Sequence, residues 1–133
     1  MNRVFLYNIA GEERLLKLRL AAYRLGLECA EVKKEDFSKP IGSLLGEPGY
    51  GETEPTENGT FSGEMLLMEQ MNAPFLDEIR VLGVGIGLKA VVTENNRGWS
   101  SERLYRELLR EQESLRSLSV RRAPRREKKK KKK

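Results

Sequence analysis

The chain of 133 residues contains no histidine and a single cysteine, Cys29. The first absence removes the side chain best suited to general acid–base work near neutral pH. The second excludes an internal disulfide and leaves any zinc site to carboxylates and one thiolate, a poor ligand set. Hydrophobic residues are scarce at 38%, so part of the chain is expected to lie outside a packed core. No apolar run approaches the roughly 20 residues needed to span a bilayer. The N-terminal run around Val4 and Phe5 is too short for a signal peptide, with Asn8 and Glu12 close behind it. A cytoplasmic location is expected. No nucleophile stands beside a base, and no phosphate loop or carboxylate pair is identifiable, so the expectation is of no enzyme, no cofactor and no metal.

Charge is present but unevenly divided. From Arg116 onward eleven Lys or Arg face one acid, a net of +10, while residues 1–115 carry a net of −5. The basic pI of 9.4 therefore describes the tail, and the body is acidic. The tail residues Arg121, Arg122, Arg125, Arg126, Lys128, Lys129, Lys130, Lys131, Lys132 and Lys133 can contact any polyanion by counterion release. They include no aromatic that could read sequence. The expected organisation is one domain over residues 1–115 and a disordered Lys/Arg-rich tail over 116–133.

Along the body, Val4 to Ile9 reads as a strand apolar on both faces, the mark of a central strand covered on both sides. Glu12 to Leu25 has its acids in the first turn and Leu15, Leu18, Ala22 and Leu25 at helical spacing, with Gly26 as a stop. Leu27 to Lys33 reads as a weaker, edge-like strand, and Ile41 to Leu45 as one helical turn. Residues 46–63 form an acidic, Gly-, Pro- and Thr-rich loop, long for a connection inside a compact domain and expected to be flexible. Met65 to Met68 is a third strand, again apolar on both faces. Asn72 caps a helix over Ala73 to Leu82, with Pro74 tolerated in its first turn. The glycines 83, 85 and 87 follow a helix and precede a strand, the reverse of a dinucleotide-binding order, and are assigned to turn geometry. A fourth strand, Leu88 to Thr93, and a final amphipathic helix from Ser101 to about Ser117 complete the body.

The most distinctive stretch joins those last two elements. Glu94 to Gly98 is turn chemistry, and Ser100 is placed as an N-cap with Glu102 in the first turn. Trp99 and Leu104 then occupy the N′ and N4 positions of a hydrophobic staple. Lys89, Thr93, Asn96, Arg97 and Trp99 are candidate ligand-binding residues beside a helix N-terminus, where free N–H groups attract anions. The bland alternative has Thr93 and Asn96 holding the turn and Trp99 packing the core. With Ala90 and the helix residues Leu104, Glu107 and Leu108, this pattern (Lys-Ala-x-x-Thr-x-x-Asn-x-x-Trp) resembles a family of small uncharacterised bacterial proteins, a domain of unknown function. The likeness extends more weakly to Leu6–Asn8 and Met65–Met68, covering roughly residues 3–110. It implies a fold and no reaction.

The element order β-α-β-loop-β-α-β-α points to an α+β, ferredoxin-like βαββαβ sandwich of four antiparallel strands, with two helices on one face and an additional C-terminal helix. The second face is expected to be covered by that helix, a partner subunit or a ligand. An RNA-recognition sheet shares the strand order, but Met65–Met68 offers neither aromatic nor cation to a base. The layout resembles the nitrogen-regulatory PII proteins, which place a flexible contact loop at the same topological point. That is a likeness of fold alone. The function expected is a non-enzymatic regulatory or protein-interaction module, ligand-responsive or oligomeric. The alternative is a nucleic-acid- or ribosome-associated protein acting through the basic tail.

Overall fold

The computed structural model describes residues 2–49 and 61–132, with side chains described as far as Leu118 on the last helix. The sequence-predicted loop 46–63 therefore lies largely outside the described residues. Four strands, β1 (Arg3–Tyr7), β2 (Glu28–Glu31), β3 (Met65–Met68) and β4 (Leu88–Val91), form one mixed sheet. Four helices, α1 (Glu12–Arg24), α2 (Ile41–Leu44), α3 (Ala73–Val81) and α4 (Ser101–Lys132), complete an α+β architecture.

The sheet order is β2-β1-β3-β4. β1 pairs with β2 in parallel, β1 with β3 antiparallel and β3 with β4 in parallel. The central places of β1 and β3 agree with their two-sided apolar character, since both are buried almost throughout. The ferredoxin-like pairing expected from the element order is not what forms. Strand directions are those of that fold, but the two edge strands have exchanged places. The reason lies in the connection from β2 to β3. A ferredoxin-like sheet joins these strands as neighbours, whereas here 33 residues, including α2, intervene. Freed from β3, β2 pairs with the strand it follows, as a simple right-handed βαβ crossover allows.

The result is two βαβα units packed about an approximate dyad between β1 and β3. In both, the first helix ends in a Schellman motif on a left-handed glycine, Gly26 (φ 70°) and Gly83 (φ 80°). The amide of Leu27 donates to the carbonyl of Ala22 at 2.8 Å, and that of Val84 to Ile79 at 2.9 Å. In both, the residue after the edge strand extends the ladder: Val32 donates to Leu6 and Val92 to Met68, each at 2.9 Å. The units meet again where their second helices begin, as an antiparallel bridge between Pro40 and Ser100. Such a repeat is hidden in the sequence because the equivalent segments share little beyond Leu25-Gly26 with Leu82-Gly83, Ala30 with Ala90 and Val32 with Val92.

Each face of the sheet carries its own core. Leu18, Ala21, Ala22, Phe75 and Ile79 of α1 and α3 cover Val4, Leu6, Leu66 and Met68. On the opposite face Phe37, Ile41, Leu45 and Leu104 cover Phe5, Tyr7, Met65 and Leu67, with Phe61 and Tyr105 packed against them. Both faces are thus closed within the chain, by α4 together with α2 and the segments around it. The helix backbone of α4 continues to Lys132, through the segment that composition assigns to an unstructured tail.

Candidate functional site

The turn from β4 into α4 is built by Asn96. Its side-chain oxygen accepts from the Thr93 amide at 2.8 Å, and its Nδ2 donates to the Val91 carbonyl at 3.0 Å. The Asn96 amide in turn donates to Thr93 Oγ1 at 3.1 Å. Asn96 is buried and its amide is occupied by backbone, as Asx chemistry favours. Ser100 Oγ accepts from the Arg103 amide at 3.1 Å, the expected N-cap bond of α4. The next hydroxyl, Ser101 Oγ, is buried and lies 2.7 Å from Tyr7 Oη. Burial raises the Tyr7 phenol well above its ordinary pKa, the hydrogen bond to Ser101 opposing the shift in part, so it stays protonated.

The sequence-predicted ligand residues divide between places. Lys89 is exposed and, alternating with Leu88 and Ala90, shares the α1/α3 side of the sheet with Val91. Arg97 pairs with Glu47 at 3.0 Å, tying the turn to the segment after α2. Thr93, Asn96 and Trp99 come together on the α4 side. Trp99 is half-buried, packs against the second core as a staple partner should, and carries the guanidinium of Arg103 4.3 Å above its ring. The polyanion candidates from Arg121 to Lys133 have side chains outside the described residues.

Beside Trp99 a cleft of about 350 Å³ opens between β4 and α4. Ala90, Val91, Leu104, Leu108 and Trp99 give it apolar walls, and Thr93, Asn95, Glu107 and Glu111 a polar rim. Among the described residues β3 is the one strand partner of β4, so β4 is an edge strand with no ladder on its outer side. The cleft is therefore an apolar trough beside an edge strand, at whose end Asn96 already holds the Val91 carbonyl and the Thr93 amide. Sequence reasoning placed Trp99 and Leu104 together but missed the contribution of Glu107 and Glu111. Their side of the helix is fixed only when α4 is docked.

A second group of residues closes the opposite end of β1. Arg14 grips Glu64 through both oxygens, Nη2 donating to Oε1 at 2.8 Å, and donates also to the Gly85 carbonyl at 2.7 Å. The Ala10 amide adds a bond to Glu64 Oε2 at 3.0 Å. The hydrogen bond from Arg14 holds the Glu64 carboxyl below the usual carboxylate range and raises Arg14. Asn8, at φ 57°, donates to the carbonyls of Phe61 and Gly63 at 2.9 and 3.0 Å. Phe61 then stacks on Tyr105 at 4.0 Å and on Phe37 at 4.5 Å between ring centres. These groups are mutually satisfied, and the arrangement is structural. Cys29 is half-buried in β2, and burial raises its thiol pKa, which keeps it a poor nucleophile. Among the described residues no three acidic or cysteine side chains converge to hold a metal, and no helix is long and apolar enough to cross a membrane.

None of the curated proteins and none of the solved structures compared with the chain matches it. A match to a family model is found over residues 64–115, described as a domain of unknown function, DUF3783. The matched segment is the second βαβα unit, from just before β3 into the middle of α4, and it contains Lys89, Thr93, Asn96, Trp99 and every residue lining the cleft. The likeness expected over residues 3–110 thus narrows to the half of the fold that carries the cleft.

Proposed function

We propose that the chain is a non-enzymatic protein-interaction module that takes an extended peptide segment into the cleft between β4 and α4. The observation that supports this reading is the outer edge of β4, without a strand partner among the described residues up to the Val91 carbonyl that Asn96 holds, running beside an apolar trough. Strand addition at such an edge supplies backbone hydrogen bonds, while flanking pockets select alternate side chains. The apolar walls favour aliphatic side chains, and Glu107 and Glu111 at the rim favour a neighbouring Lys or Arg. Both faces of the sheet are closed by the chain's own side chains, which leaves the edge as the place for a partner to join. A regulatory role would follow if occupancy of the cleft shifted α4.

The single tryptophan stands in the cleft wall and reports on it directly. A synthetic heptapeptide alternating valine and threonine, with a lysine at each end, is expected to shift Trp99 emission saturably, with Kd below about 1 mM. Leu108→Asp, a half-exposed position, is expected to weaken that binding at least about tenfold without changing the circular dichroism. No saturable change with the wild-type chain overturns the reading.

A second reading, binding of nucleic acid or another polyanion, is favoured by the net charge of +10 carried from Arg116 to Lys133.

A further inference from the structure

Helix α1 carries two apolar stripes, and the sheet uses one of them. Leu18, Ala21 and Ala22 are buried against the sheet. At about 100° per residue, Leu16, Leu20 and Tyr23 project from the opposite side of the helix. They are 70%, 41% and 83% exposed, and spacings of four and three residues set them in one line. Beside that line Glu12, Glu13, Leu15, Leu16 and Arg19 border an open hollow of about 520 Å³. A projecting aromatic ring and a hollow thus stand on one helix surface, roughly two turns apart along its axis.

We propose that this surface pairs two copies of the chain, their α1 helices antiparallel, with Tyr23 of each seated in the hollow of the other. A two-fold interface is built from one patch that complements itself, and a knob and a hollow on the same stripe meet that requirement. The antiparallel direction follows from where they stand. The ring lies in the last turn of α1 and the hollow in its first turns, so only reversed helices bring them together. With Leu16 set on Leu20 of the second copy, Tyr23 falls in the layer of Glu13 at the rim of the hollow, and each contact occurs twice. The phenol hydroxyl then comes within reach of the Glu12 and Glu13 carboxylates, both exposed. Charge agrees with this register, because Glu13 lies beside Arg24 of the second copy. Within the chain Glu13 is paired with Lys17 and Arg24 with Glu78, so the contact joins them in a row of alternating sign. A parallel pair would set Glu12 and Glu13 against their own counterparts and leave both hollows empty. The 13 residues of α1 span about 20 Å, so the interface is small and the dimer belongs to the weak, reversible class.

This surface is separate from peptide binding, since no residue lining the cleft belongs to α1. The test is sedimentation equilibrium of the full chain from about 10 μM to about 1 mM, the range that a weak helix pair requires. A monomer–dimer equilibrium is expected. Tyr23→Ala should weaken it at least about fivefold by emptying both hollows, and Leu20→Asp at least about tenfold. The Tyr23 ring is exposed and alanine is the better helix former, so the melting temperature should not fall with Tyr23→Ala. Glu13→Arg alone and Arg24→Glu alone should each weaken the dimer about threefold, and the two together should recover the loss. A monomer at every concentration overturns the proposal, as does a dimer that Tyr23→Ala and Leu20→Asp leave intact. Failure of the paired charge reversal to recover the loss overturns the antiparallel register.

Discussion

Tyr7 places a hydroxyl inside the core, where an unpartnered polar atom is costly. Its one bond is to Ser101, the residue that follows the cap of α4, and through it the centre of the sheet fixes the start of the helix. Tyr7→Phe would leave the Ser101 hydroxyl buried without its partner. Destabilisation of about 1–2 kcal/mol is expected in a urea unfolding series. Gly63 meets a different constraint, because a Cβ there would collide with the Tyr105 hydroxyl while that ring is stacked on Phe61. Gly63→Ala is expected to cost about 1–3 kcal/mol through displacement of the stack, seen as a lower melting temperature. Glu64 gives the fold a pH dependence with a definite sign. Its folded pKa is held below the ordinary value by Arg14, so its contribution is fully present above the ordinary carboxylate range of about 4.3. The contribution is lost as pH falls through the depressed folded value. Glu64→Gln should therefore destabilise the protein near neutral pH, and the gap to wild type should close as the urea midpoint is followed down to about pH 2–3.

At the scale of the element, hydropathy placed the strands and helices well because each one carries its pattern locally. Strand β3 was legible from Met65–Met68 alone, and the ends of α1 and α3 from Gly26 and Gly83. The pairing of those strands was not. A central strand is apolar on both faces and an edge strand is not, whichever edge strand lies beside it. The ferredoxin-like order and the observed order have identical centres, edges and strand directions, so no pattern within a strand separates them. The candidate site was partly legible for the same reason. Trp99, Thr93 and Asn96 are near in sequence and their turn follows from local chemistry. The Arg14–Glu64 contact and the Phe61–Tyr105 stack join residues 50 and 44 positions apart, respectively, and only the folded chain brings them together.

For the whole molecule, the two βαβα units share one sheet, with β1 and β3 paired at its centre. Neither central strand has an open side in the native chain. A fragment restricted to the second unit would expose the full edge of β3, four buried residues long, and such an edge recruits another strand. Expressed alone, residues 61–118 are expected to sediment as a dimer or larger species, with the missing β1 replaced by β3 of another fragment. A folded monomeric fragment would show that the second unit does not require the first.

The dyad between the units also bears on stoichiometry. A cleft of the kind beside Trp99 needs an edge strand and a helix long enough to wall it. The second unit has both, in β4 and the 32-residue α4. The first has the edge strand β2, but its matching helix α2 is four residues long and Lys39 stands in the place of Trp99. Among the described residues, a fold with room for two equivalent clefts thus forms one, and if that cleft binds peptide as proposed, the valency of the chain is one.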